Sequence, residues 1–178
     1  MPCLFVERFR AIRPAWPLRR ARGAARGQTL LEVAIILPIF LVVLMAVIEF
    51  GWYAAVASAT TSASREAARY GSTVGTGGGG SERYIDCDGI RNAGRSTTSP
   101  LITLDDADIV VSYDDGFGTA TAQPCVSTAS RPAKSDLVRF DRVVVTVTVE
   151  YRALTPLMGP FIGTTDLVST DRRSIVKP

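Results

Sequence analysis

The constraint that shapes every other reading of this chain is an apolar run near its N-terminal end. From Val33 to Ile48 sixteen consecutive residues carry no charge, and between Thr29 and Ile48 Glu32 is the one ionised member of twenty. Twenty residues of helix extend about 30 Å, the thickness of a bilayer core. A helix buried in a soluble core is usually amphipathic, whereas this run is apolar on every face, which predicts a membrane span.

Charge gives the span a direction. Seven arginines (Arg8, Arg10, Arg13, Arg19, Arg20, Arg22 and Arg26) precede it against one acid, Glu7, and such an excess of basic side chains stays on the cytoplasmic side during insertion. The expectation is a single-pass protein with everything beyond about Tyr53 outside the cytoplasm. The overall charge of +3 is therefore a topology signal. Residues 1–27 hold seven of the 20 basic and one of the 17 acidic residues, so the remainder, 13 against 16, is mildly acidic. Basic residues in an Ala/Arg/Pro leader, with no folded face to carry them, exclude nucleic acid as an expected partner. Residues 1–26 read as a leader outside the mature fold.

Beyond the span there is room for one domain of about 100 residues. Cys87 and Cys125 would then face an oxidising compartment and are expected to pair across 38 residues, with two separate buried thiols as the alternative. By chain entropy that bridge would contribute about 4 kcal/mol at most. Cys3 lies in the leader, and the chain has no His, the commonest metal ligand and general base. No metal-ligand spacing is present, so no metal or other cofactor is expected.

Gly27 precedes the apolar helix, and Gln28, Thr29, Leu30, Leu31 and Glu32 follow it. A glycine there with a carboxylate five positions later resembles the type IV prepilin processing signal. Glycine permits close approach of an extended backbone to a membrane peptidase. Cleavage would leave the α-amino group of Gln28 one helical turn from Glu32, which can neutralise that ammonium or a neighbour's in low dielectric. A snorkelling Glu32 at a helix end is the simpler reading. Pro38 within the span, Glu49, Gly51 and the aromatics of IEFGWY, then ASREAARYG over residues 63–71, together resemble the TadE/TadG-like family, minor pilins or pseudopilins of the tight-adherence (Flp, type IVc) pilus system. Val33 departs from the major Flp pilins, which have an aromatic after the glutamate; this fits a minor component better.

The resemblance implies a pilin-like α+β fold: a long N-terminal helix crossing the membrane, continuing outside it and packing on a small antiparallel sheet. Its expected divisions are a leader (1–27), a transmembrane segment (28–57), a helical extension (58–70), a Gly-rich linker (71–81) and an extracytoplasmic α+β domain (82–178). Helix from Gln28 to Tyr70 would extend about 65 Å, with a kink at Pro38 and Gly71 as the stop. The family also implies processing at Gly27/Gln28 by a prepilin peptidase, residence in the bacterial inner membrane, and partners among other pilins, pseudopilins and the inner-membrane platform of the machinery. Glu32 and Glu49 are candidates for subunit or membrane charge pairing, although Glu49 can equally mark the end of the span. Arg65 and Arg69, at i and i+4 beside Glu66, are candidates for contact with a neighbouring subunit or form a solvated stripe.

In the outer part, GSTVGTGGGGS (71–81) reads as a flexible linker or loop, lacking the Lys-Ser/Thr of a phosphate loop. A short helix is expected from Glu82 to Ala93, ending near Gly94. Strands are expected at 108–113, at 143–151, where Val143, Val145, Val147, Val149 and Tyr151 alternate onto one face, and at 166–176.

Asp105, Asp106, Asp108, Asp114 and Asp115 form the one acidic cluster. Paired carboxylates can serve glycoside hydrolysis or hold Ca²⁺, but the spacing matches no EF-hand loop and Asp commonly occupies turns beside strands. Without His there is no Ser-His-Asp arrangement, and the expectation is that the protein is not an enzyme. Two alternatives stand beside the pilin-like reading. Ala57-Ser58-Ala59 has the small-residue pattern of ordinary signal peptidase, which would release a product beginning at Thr60; and the outer part could be an anchored or secreted binding domain unrelated to pili.

Overall fold

The computed structural model describes residues 24–98, 102–117, 119–120, 124–125, 131–138, 141–156 and 159–176. The expectations for residues 1–23, Cys3 and the leader arginines up to Arg22 among them, lie outside this set. The chain divides into two compact units, residues 1–43 and 44–178.

In the first unit, helix α1 (Ala24–Ser72) begins three residues ahead of Gly27, because Ala24, Ala25 and Arg26 are all good helix formers. It continues through Pro38, and side chains from Leu30 to Val43 are exposed all round it. An all-round apolar exterior is what the uncharged run dictates.

In the second unit the outer part of α1 meets α2 (Cys87–Thr98) and an antiparallel sheet of β1 (Ile109–Asp114), β2 (Arg142–Tyr151) and β3 (Thr165–Ser174), with β2 central. A one-turn helix, α3 (Gly159–Ile162), lies in the β2–β3 connection. The alternation read in β2 sets its place: Val143, Val145, Val147 and Tyr151 are buried, and the register runs Val147 against Ile109 and Ser169. The fold is α+β, a long helix on a small antiparallel sheet.

The helix face that receives the sheet is made of small residues. Val56, Ala59, Thr60, Ala63, Ser64, Ala67, Ala68 and Gly71 recur every three or four positions and are buried, so the two backbones approach closely. The hydroxyls of Thr60 and Ser64 stay satisfied there by donating to Val56 O (2.9 Å) and Thr61 O (3.0 Å), and Ser64 Oγ lies 2.9 Å from Ser169 Oγ. Gly71 does not stop the helix, which ends at Ser72; it lies in the last turn, where a Cβ would stand 3.1 Å from Ile90 Cδ1 and 3.2 Å from Val143 Cγ1. Gly94 likewise sits inside α2, facing Ala63, Ala67 and Ile109 at 3.3–3.4 Å. Both glycines are contact residues, and the helix expected over 82–93 is instead a 3₁₀ turn (Arg83–Ile85) followed by α2.

Of the linker or loop expected over 71–81, the structure shows a loop held by hydrogen bonds. The buried Asp86 carboxylate accepts Gly78 N–H (2.9 Å), Gly89 N–H (3.1 Å) and the Tyr70 hydroxyl (2.9 Å), while Gly77 N–H donates to Ser81 O (2.7 Å). Cys87 and Cys125 form the expected disulfide, with Cα atoms 5.6 Å apart. Cys125 N–H donates to Val111 O (2.8 Å), and the buried Arg91 donates to Ile109 O (3.3 Å) and Cys125 O (2.5 Å), fastening the bridged segment to β1.

At Gly89 a Cβ would overlap the Asp86 carboxylate and crowd the Tyr70 hydroxyl. Glycine to alanine in a helix ordinarily stabilises by about 0.5–1 kcal/mol. Gly89→Ala is expected to reverse that sign and destabilise by about 1–3 kcal/mol, whereas Gly51→Ala, with open space at its Cβ, keeps it. Thermal unfolding of both variants in detergent checks this.

Candidate functional site

The polar group that the apolar helix cannot leave unpartnered is Glu49. It follows the uncharged run by one residue, yet it is 4 % exposed. Its partners come from the far end of β2 and the turn after it. Oε1 accepts Leu154 N–H (2.9 Å) and the Tyr151 hydroxyl; Oε2 accepts Thr155 N–H (3.1 Å) and Thr155 Oγ1–H (3.0 Å). Each carboxylate oxygen thus receives two donors. Hydrogen bonds from these neutral donors take the place of the hydration that burial removes from the carboxylate.

Sequence reasoning cast Glu49 as a charge-pairing residue; in the structure its partners are neutral donors of its own chain. Tyr151, placed by the β2 alternation, packs edge-on against Tyr53 with ring centroids 5.2 Å apart. Burial, and then the bond to the Glu49 carboxylate, push the Tyr151 hydroxyl up to about 12.

The other predicted residues are dispersed. Gly27 has open space where a Cβ would be, so packing does not require a glycine there. Glu32 is exposed, with the Gln28 side-chain amide 3.5 Å from Oε1, a long contact that leaves the carboxylate available. Arg65 is exposed, while Arg69 forms a two-pronged pair with Glu66 (2.5 and 2.8 Å) three residues earlier.

The aspartates do not converge. Asp105 and Asp108 cap a 3₁₀ turn, Asp106 pairs with Arg95, and Asp115 accepts Phe117 N–H (2.8 Å) and Thr119 N–H (3.1 Å) within a turn. Asp114 pairs with Arg142 (2.6 Å) and lies 3.6 Å from Arg172; the Arg142 bond chiefly holds its carboxyl below the usual range. Among the described residues no group of three or more His, Cys, Asp or Glu is arranged to hold a metal ion.

Residues 27–69 match the family model described as TadE-like protein. The matched stretch holds Gly27, Glu32, Glu49, Arg65 and Arg69, and it ends three residues before α1 does. This TadE-like match suggests a component associated with the tight-adherence pilus, and one N-terminal apolar helix suggests a single-pass membrane protein. Searches of curated proteins and of solved structures gave no match.

Thr155, Leu154 and Tyr151 were not identified from the sequence as partners of Glu49, because they lie 102 to 106 residues away along the chain. Asp86 and Arg91 were also missed: Asp86 bonds to Gly89, Gly78 and Tyr70, 3 to 16 residues away, and Arg91 to carbonyls 18 and 34 residues on, pairings that no residue pattern in the sequence marked.

A tyrosine whose folded pKa exceeds its unfolded value near 10 contributes stability that is complete below pH 10 and is lost as pH rises towards about 12. Tyr151→Phe is therefore expected to lower stability at neutral pH and to flatten the decline between pH 10 and about 12, part of which persists through the buried Tyr113, also shifted upward by burial. Thermal unfolding of the full chain in detergent across this pH range reads both effects.

Proposed function

We propose that this protein is a minor pilin or pseudopilin of a tight-adherence (Flp, type IVc) pilus system, cleaved after Gly27 by a prepilin peptidase and held in the bacterial inner membrane by residues 28–57 until it joins or primes a filament. The observation that carries the reading is the coincidence of the TadE-like match, residues 27–69, with the part of α1 that is apolar and exposed at one end and sheet-packed at the other. The protein works by packing and is not an enzyme.

Gly27 supports the processing step, since the fold itself makes no demand for glycine there. Because α1 begins at Ala24, cleavage requires the first turn to open, and helix ends fray readily. The exposed Glu32 then stands one turn from the new α-amino group of Gln28, able to pair with it or with that of a neighbouring pilin. The basic leader keeps the N-terminus cytoplasmic and the sheet domain outside, in reach of the inner-membrane platform and other pilins.

Ordinary secretion through Ala57-Ser58-Ala59 is the poorer reading. Cleavage there would cut α1 within its sheet-packing face, beside the buried Val56 and Thr60, and would strip Tyr151, Leu154 and Thr155 of the acceptor Glu49.

N-terminal mass spectrometry of the protein from its own membranes is expected to give a terminus at Gln28 that disappears when the prepilin peptidase is removed. A terminus at Thr60, or an intact leader, overturns the reading. Glu32→Ala is expected to leave cleavage intact and to abolish filament-associated protein, measured by comparing the membrane and sheared-surface fractions.

A further inference from the structure

Cutting α1 after Gly27 changes the chemistry of the residue it exposes. The helix runs from Ala24 to Ser72, so a chain that begins at Gln28 begins within helix. Removing residues 24–27 removes the carbonyls to which the N–H groups of residues 28–31 donate, and those donors lose their intrahelical partners. In place of the Gln28 amide it leaves an α-ammonium. A positive charge at this end opposes the helix macrodipole, which favours anions there. The residues that follow, Leu30, Leu31 and the uncharged run from Val33, place that charge beside hydrocarbon if α1 spans a membrane. Glu32, one turn on, can offset the charge. Gln28 can remove it.

An N-terminal glutamine carries an electrophile within reach of its own amine. α-Amino groups titrate at about pH 8, so a fraction is neutral and nucleophilic at physiological pH. Its lone pair attacks the carboxamide carbon Cδ, the Cδ–Nε2 bond breaks, and Nε2 leaves as ammonia with the proton that the α-nitrogen gives up. One carbon–nitrogen bond replaces another, and the step consumes no oxidant, water or other co-reactant. Two features of the structure leave the Gln28 side chain open to this closure. It is exposed, and among the described residues its carboxamide has one polar contact, the 3.5 Å approach of Nε2 to Glu32 Oε1, which is too long to hold it in one rotamer.

We propose that the mature N-terminus of this protein is a pyroglutamate, formed at Gln28 by loss of ammonia once the Gly27–Gln28 bond is cut. The inference rests on the processing step proposed above. The lactam acts as an acetyl cap does at the start of a helix: it removes the terminal charge, and it retains the side-chain oxygen as a ring carbonyl near the orphaned donors. It also changes the task of Glu32. With no ammonium on its own chain, this carboxylate needs a cation from elsewhere, because ionised groups within a membrane are paired. The α-ammonium of a different pilin meets that need. Two cyclised copies side by side would bring together two carboxylates and no cation, so each copy belongs beside another kind of subunit, as suits a minor component.

The test reads the terminus of the full chain in freshly isolated membranes of its own cells. Primary amines are first converted to dimethylamines with formaldehyde and cyanoborohydride, which stops any later cyclisation. Digestion after glutamate then releases residues 28–32 for mass spectrometry. The expected result is a peptide lighter by one ammonia and without the dimethyl label, together with a labelled terminus in Gln28→Ala, which shows that the reagent reaches this position. A dimethylated Gln28 peptide overturns the lactam and leaves processing after Gly27 intact. A terminus in Gln28→Ala that also escapes the label overturns it too, because the block then does not depend on the glutamine side chain. A terminus at Thr60, or a leader still attached, overturns the processing step and the lactam with it.

Discussion

A carboxylate inside an apolar helix must find donors, and the way Glu49 finds them organises the second unit of this molecule. Ionised and withdrawn from solvent, it would be costly in isolation. Tyr151, Leu154 and Thr155 supply four hydrogen bonds, and each comes from the end of β2 or the turn that follows it. The same contacts that satisfy the charge therefore fix which end of β2 lies beside which turn of α1. The hydrophobic effect could hold a sheet on this helix in several offsets, because a stripe of alanines is nearly featureless; directional bonds to one carboxylate select one of them.

The small-residue stripe and the clasp act together. Ala63, Ala67 and Gly71 bring α1 close enough for Ile90 and Val143 to pack directly on its backbone, and Gly94 brings α2 equally close. Dispersion between closely apposed surfaces then does what larger side chains do in ordinary cores. On the side of the sheet away from the clasp, the Cys87–Cys125 bridge and Arg91 fasten the edge strand β1 to α2. Asp86 gathers the Gly-rich turn against the end of α1, so the sheet-packed part of the helix is held at both of its ends by a buried carboxylate, Glu49 at one and Asp86 at the other.

Much of this was legible in the sequence because it depends on local periodicity or composition. The uncharged run required a long exposed helix, and the valine alternation from Val143 to Tyr151 required a half-buried strand, which proved to be the central one. The disulfide followed from compartment and from there being two cysteines in the outer part. What could not be read were the contacts across long sequence separations. Glu49 was visible as an anomaly, but its donors were not, since nothing in TPLMGP announces that Leu154 and Thr155 will offer their amides to a residue more than a hundred positions earlier. Glycine misled for a related reason. Gly71 and Gly94 were read as helix stops and 71–81 as a flexible linker or loop from local propensity, whereas tertiary approach packs the two glycines inside helices and the Asp86 carboxylate holds Gly78.

The central claim, that Glu49 clasps the sheet hairpin through backbone donors, is tested most directly by hydrogen exchange at the amides of Leu154 and Thr155 in the full-length protein in detergent. Slow exchange at these two amides, lost in Glu49→Ala while the amides of β2 stay protected, is the result predicted. Fast exchange of both amides in the unaltered protein, or protection unchanged by Glu49→Ala, would contradict it.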